Sequence, residues 1–354
     1  MSTPKKQHFV PQFYLRNFAL DDEKEFISSY HHKSEKFIID VPIKSQAYKN
    51  YIYGKDGLVE KDLSQFEAKV ANLISEPLKK INPPGTIEEF NLLKEFILIQ
   101  HSRTAKAGAE AMAAINAGYQ TIRPYLKKED QLPSEFHISH EYPSLISLYH
   151  ALDHSYLMNH LMMKSIVNMT DLAFITSDTP VVTYNQWMEQ QGHYAGATAL
   201  AAKGLQIFIP IAPRLAYCFY DPYIYEFGDP NKGFVEIESM DDIHQLNALQ
   251  YLFSDTQLFF SEKITSQEYI QLIIEQGKDS RVSERNINIA FPDKTASGKD
   301  SLFLFSSFQD PHTEMQLPFF RLTKEARKTE ITNGLPLLRH PSFDDLRNNH
   351  RKKN

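Results

Sequence analysis

Between positions 61 and 119 the chain carries two long stretches of helically spaced apolar residues, parted by Asn82-Pro83-Pro84-Gly85. Two consecutive prolines followed by glycine cannot continue a helix, so the chain must double back there into an αα-hairpin. The first arm runs from Lys61 to Lys80 and the second from Ile87 to Tyr119, with Thr86 placed to cap the second arm and Glu88 and Glu89 in its first turn. Helices of this kind are stabilised mainly by burying an apolar face, so the rest of the chain has to supply a surface for them.

That surface is expected from the middle of the chain. A short helix, Pro11 to Phe18, opens the sequence, and β segments are expected at Phe26 to Tyr30, Phe37 to Val41 and Tyr51 to Tyr53. A further helical region spans Pro143 to Met163, after which strands are expected at Leu172 to Thr176, Val181 to Tyr184, Leu205 to Ile209 and Leu215 to Phe219. A helix from Met240 to Phe253, a strand at Leu258 to Phe260 and a helix from Ser266 to Gln276 follow, then strands at Leu302 to Phe305 and Leu317 to Leu322. The fold class is α+β: a helix-rich N-terminal half packed on a small, mainly antiparallel sheet. Its 354 residues exceed one comfortable core, and the expected division is a helical lobe with short β segments over 1–165, an α/β lobe over 166–280, and a C-terminal extension with a polar tail over 281–354.

Composition narrows the function. A net charge of -6 gives no general signal for nucleic-acid binding, and Arg347, Arg351, Lys352 and Lys353 read as a solvated tail. The single cysteine, Cys218, lies in an apolar run and rules out an intrachain disulfide or a cysteine-based zinc site. No apolar stretch reaches membrane-spanning length, so a cytoplasmic location is expected. With 13 glycines and no phosphate-loop or dinucleotide fingerprint, the chain offers no nucleotide-cofactor motif.

Polar residues on faces that should be apolar carry the most information. At about 100° per residue, Leu63, Phe66, Val70, Ile74 and Leu78 form one stripe, and Glu67 falls inside it. In the second arm Phe90, Leu93 and Ile97 face inward, Gln100 continues that face and Arg103 lies at its edge. A carboxylate turned into a core needs a cation, a metal or a proton, and Arg103 is the nearest cation by topology. Thr176-Ser177-Asp178-Thr179-Pro180 follows an apolar strand, where a sheet holds side chains rigidly at its rim; the same residues also make an ordinary Asx turn. His8 stands one cap ahead of the opening helix, close to Arg16 and Asn17. His150 and His154 have helical chelating spacing without a zinc-protease motif.

The run Gln7-His8-Phe9-Val10-Pro11-Gln12-Phe13-Tyr14-Leu15-Arg16-Asn17-Phe18 resembles the opening signature of a mainly bacterial family catalogued as domain of unknown function 4238. Gln65-Phe66-Glu67, Ile99-Gln100-His101-Ser102-Arg103-Thr104, Thr176-Ser177-Asp178-Thr179-Pro180 and Pro210-Ile211-Ala212-Pro213 follow in the same order, so the resemblance covers about 7–262. The family's usual Pro-Leu-Ser-Pro is replaced by the last of these, which removes a hydroxyl. The resemblance implies positions, not a reaction: His8, Arg16, Asn17, Glu67, Gln100, Arg103 and Asp178 match the pattern.

Two readings follow. In the first the chain is a hydrolase or transferase acting on a phosphodiester or other anionic substrate: Glu67, Asp178 and His8 hold a divalent metal such as Mg²⁺ or Mn²⁺, His8 serves as base or ligand, and Arg16, Asn17, Gln100 and Arg103 bind substrate. In the second it is a non-catalytic binding or regulatory module whose polar cluster, the Glu67–Arg103 pair included, is structural, or which recognises one small anionic ligand or a partner protein.

Overall fold

A computed structural model of the chain describes residues 5–21, 23–75, 86–133, 137–193, 197–281, 313, 315–329 and 338–339, and the backbone of 286–294 and 300–308. The Asn82-Pro83-Pro84-Gly85 turn, Leu78 and the basic tail lie outside the described residues.

The N-terminal half comprises strand β1 (Lys6–His8), helix α1 (Gln12–Leu15), strands β2 (Phe26–His31), β3 (Lys36–Pro42) and β4 (Tyr48–Asn50), and helices α2 (Leu58–Ser75), α3 (Ile87–Ser102), α4 (Ala105–Ile122) and α5 (Pro143–Asp153). The remainder adds β5 (Met162–Asn168), β6 (Thr176–Ser177), β7 (Val182–Tyr184), α6 (Gln186–Glu189), β8 (Gln206–Ala212), β9 (Leu215–Tyr220), β10 (Tyr225–Phe227) and β11 (Phe234–Ile237). It continues through α7 (Met240–Phe253), β12 (Gln257–Phe260), α8 (Gln267–Gly277), β13 (Asn286–Lys294), β14 (Asp300–Phe308) and β15 (Phe320–Leu322). The fold is α+β.

A five-stranded sheet in the order β11-β5-β9-β8-β7 divides the apolar interior into two layers. Every pairing in it is antiparallel except β11 with β5. Along β9, Leu215, Tyr217 and Phe219 join the layer beneath α1, α2, α3 and α5, while Ala216, Cys218 and Tyr220 join the layer that holds α7 and α8. Helices thus cover both faces, which is why β8 and β9 read as continuous apolar runs rather than alternating ones. Cys218 is fully buried and serves as a small apolar side chain there, its thiol pushed far up by desolvation.

Several expected elements change. The long second arm is two helices: Arg103 ends α3, and Thr104, extended at φ −70° and ψ 160°, starts α4 by accepting a hydrogen bond from the Ala107 N–H. The apolar spacing runs through this break, so periodicity could not reveal it. Thr86 caps α3 in a reciprocal box with Glu89. Tyr51 to Tyr53 is a turn, with Tyr51 at φ 54°, and the strand precedes it as β4. The expected helix to Met163 stops at Asp153, giving way to a 3-10 turn and then to β5, which the sequence reading missed. The two helices on either side of the Lys127 region cross closely: a Cβ on Gly108 of α4 would lie 2.6 Å from the Ser144 backbone nitrogen in α5.

Of Leu172 to Thr176 only the end is strand. Asn247 of α7 accepts from the Ile175 N–H (3.0 Å) and donates to the Ala173 carbonyl (2.8 Å), so a side-chain amide stands in for a neighbouring strand. One turn later Gln250 accepts from the Ser177 hydroxyl and donates to the Pro180 carbonyl.

Candidate functional site

The opening segment is bolted to the body by its own polar groups. Gln7, fully buried, donates to the Gly54 carbonyl (3.0 Å) and accepts from the Tyr53 N–H (2.8 Å). The Tyr14 hydroxyl, also fully buried, donates to the Pro210 carbonyl at 2.5 Å and lies 2.7 Å from the Thr176 hydroxyl, so α1 is tied to β8 and β6 at once. Burial drives the Tyr14 phenol far above its ordinary range.

Arg103 is the hub beneath this segment. Its Nη1 donates to Glu67 Oε1 at 2.7 Å, its Nη2 to the His8 carbonyl at 2.6 Å and its Nε to the Tyr53 hydroxyl at 3.1 Å. Tyr53 in turn donates to the Arg103 carbonyl. The guanidinium is buried while Glu67 keeps about a fifth of its side chain exposed. Burial works against the charge on Arg103, but Tyr53 and Glu67 outweigh it and hold the group protonated. The pair expected from the wheel is therefore present. Gln100, fully buried, donates from Nε2 to the Phe9 carbonyl at 2.9 Å, and its Oε1 has no hydrogen-bond partner.

His8 stands apart in its chemistry. It is half-buried, and its Nε2 is covered and without a hydrogen-bond partner. Burial lowers its pKa below the ordinary imidazole value; a hydrogen bond to the Lys44 backbone opposes this, and the Arg103, Lys6 and Arg16 charges lower it further. The lowered pKa keeps the ring neutral near pH 7, and Nε2 is its nitrogen without a partner. Arg16 projects into solvent with a 3.4 Å contact to Gln12 Oε1, and Asn17 is half-buried on the 3-10 turn that follows α1.

Asp178 belongs to a second cluster. Its Oδ1 accepts from the Asp255 N–H (2.9 Å) and its Oδ2 from the Thr256 N–H (2.7 Å) and hydroxyl (2.6 Å). The same loop closes the C-terminal end of α7: Lys106 and the Thr179 hydroxyl donate to the Phe253 carbonyl, and Arg281 to the carbonyls of Ser254 and Asp255. Cations at orphan carbonyls complement the negative end of a helix. His32 Nε2 lies 2.6 Å from Ser254 Oγ, a spacing that suits a nucleophile and its base. Desolvation and the Arg281 charge push that imidazole down to about 3, too weak a base for the role, so the contact ties β2 to α7.

The structure thus gathers His8, Glu67, Gln100 and Arg103 around the opening segment and places Asp178 with Asp255 and Thr256. Arg103 and Lys106, on either side of the break between α3 and α4, reach into the two clusters respectively. Among the described residues no three His, Cys, Asp or Glu side chains are placed to share a metal ion. With Glu67 bound to Arg103 and both Asp178 oxygens occupied by donors, this donor set does not fit the divalent ion expected from the sequence. His150 and His154 do touch, Nδ1 to Nδ1 at 3.1 Å, but His154 also donates to the His150 carbonyl at the end of α5. Tyr53, Tyr14, Lys106, His32 and Arg281 were not singled out from sequence; only Tyr14, inside the opening signature, carried a signal that could have found it.

A family described as protein of unknown function (DUF4238) matches residues 6–264. The chain belongs to this family. Both clusters lie within the matched region except for Arg281. No curated protein and no solved structure matches the chain significantly. Among the described residues no helix is long and apolar enough to cross a membrane.

Proposed function

We propose that this member of the family binds a small anionic group beside His8 and the exposed Arg16, with the Glu67–Arg103 pair as the scaffold that holds the His8 backbone in place. One observation carries the reading: His8 is the member of the cluster with a covered ring nitrogen left unpartnered, and three cations, Lys6, Arg16 and Arg103, act on it. Once the groups that cover Nε2 part, its lone pair accepts a proton donor, while the exposed Arg16 takes an anionic oxygen. Hydrogen phosphate and phosphate esters that carry a neighbouring hydroxyl present both groups together. Titration calorimetry with inorganic phosphate on wild type, Arg16→Ala and His8→Gln tests this. Saturable binding that weakens at least about tenfold in each variant is expected; equal affinity in all three proteins would remove the site from consideration.

A second reading, hydrolysis or transfer on such a substrate, draws on the same lone pair. With Nε2 unpartnered on a ring whose pKa is lowered, His8 would accept a proton from an attacking hydroxyl as a general base. Turnover of an activated phosphodiester that disappears in His8→Gln while phosphate still binds would favour the enzyme; binding without turnover in wild type favours the binding module.

A further inference from the structure

Arg339 lies outside the family-matched region, yet it is one of the most deeply placed cations in the molecule, with 3% of its surface exposed. Its Nη1 donates to the Ala202 carbonyl at 3.0 Å, and its Nη2 to the Leu200 carbonyl at 2.7 Å and to the Leu157 carbonyl. The backbone joins in: the Arg339 N–H donates to the Ala201 carbonyl at 2.9 Å, and Leu338 forms an antiparallel bridge with Ala202. All four receiving carbonyls belong to the family-matched body, whereas the inserted side chain belongs to the C-terminal extension. The wall behind them is stiff. Gly204, at φ 81°, leaves no room for a Cβ beside Asn185 Oδ1 (2.6 Å), and its N–H donates to buried Asp221 at 2.8 Å.

We propose that this carbonyl-lined slot is a docking site for an extended segment bearing an arginine, and that the chain fills it with its own Leu338–Arg339. A planar guanidinium reaches carbonyls on two sides of the slot at once, which a lysine ammonium on a flexible stem cannot reproduce. The contact selects for identity more than for stability. Desolvation lowers the Arg339 pKa to about 10, and Asp221, spent on the Gly204 and Tyr223 N–H groups, returns only part of that as charge attraction. An apolar residue would anchor a tail at lower electrostatic cost.

The full-length Arg339→Ala protein should bind a labelled peptide of residues 334–343, measured by fluorescence polarisation. The same peptide with alanine at 339 should bind at least about tenfold more weakly, and wild-type protein, its slot filled, should bind the native peptide more weakly by a similar factor. Equal binding of the two peptides by the folded variant, or none of either, overturns the proposal. A second measurement needs no variant. In wild type, limited trypsin should cut after exposed Arg327 at least about tenfold faster than after Arg339, and excess native peptide should speed the latter cut by displacing the segment. Cleavage after both arginines at one rate, or no effect of the peptide, counts against it equally.

Discussion

Arg103 and Asp178 are both buried charges that match the family pattern, and the chain accommodates them in opposite ways. Arg103 has a counter-ion, two carbonyl or phenol acceptors and a place on the helical side of the sheet. Asp178 has no counter-ion among its hydrogen-bond partners; it is held by two N–H groups and one hydroxyl from a single loop. The first arrangement joins parts of the chain that are far apart in sequence, residues 8, 53, 67 and 103. The second shapes one loop against one turn. Burial accordingly raises the Asp178 carboxyl pKa despite those donors, whereas Arg103 remains charged. A buried ion that bridges elements and one that shapes a loop should fail differently.

The largest expected effect separates them. Glu67→Ala leaves a buried guanidinium without its counter-ion and should cost about 2–4 kcal/mol in urea unfolding, while Glu67→Leu combined with Arg103→Met recovers most of that loss. A single-variant loss under roughly 0.5 kcal/mol would show that Tyr53 and the His8 carbonyl suffice. Next, lowering the pH should weaken the contact between His32 and Ser254. The His32 pKa is depressed to about 3 in the fold, so its contribution is complete above the ordinary imidazole value and lost as pH falls toward 3. The loss should approach roughly 5 kcal/mol, and His32→Gln should flatten that slope, both read from unfolding at stepped pH. Asp178→Asn should cost about 1–3 kcal/mol at neutral pH, because an amide NH₂ replaces one acceptor facing the Thr256 donors. Its raised folded-state pKa makes the wild-type carboxyl more stabilising as pH falls through that value, so the gap should widen toward acid. Smallest of all, Arg16→Ala should move stability by less than about 0.5 kcal/mol, as an exposed side chain does, while still weakening phosphate binding at least about tenfold.

Much of this contrast could be read before any coordinates. Glu67 inside an apolar stripe announces a partner, and Arg103 is the one found. The helix start at Thr86 carries its cap in the sequence. What stayed hidden has physical causes. Strand β5 is buried on both faces beyond Met163, so it lacks the alternation that marks a strand, and the expected helix to Met163 runs into its first two residues. The break at Thr104 lies in backbone torsion angles, which apolar spacing does not encode. Asp178 was grouped with His8 because both match one family pattern, but a shared pattern says nothing about distance; only the fold shows that its partners are Asp255 and Thr256.

The amides of Asn247 and Gln250 also set an order of events during synthesis. When the ribosome has released residue 180, the backbone of Ala173, Ile175 and Pro180 has no protein partner for the groups those two side chains will later satisfy. Until some seventy more residues emerge and α7 docks, this stretch can only be solvated or wrongly paired. The wait is a window in which a nascent chain is exposed to chaperones, and it closes in one step when a single helix arrives.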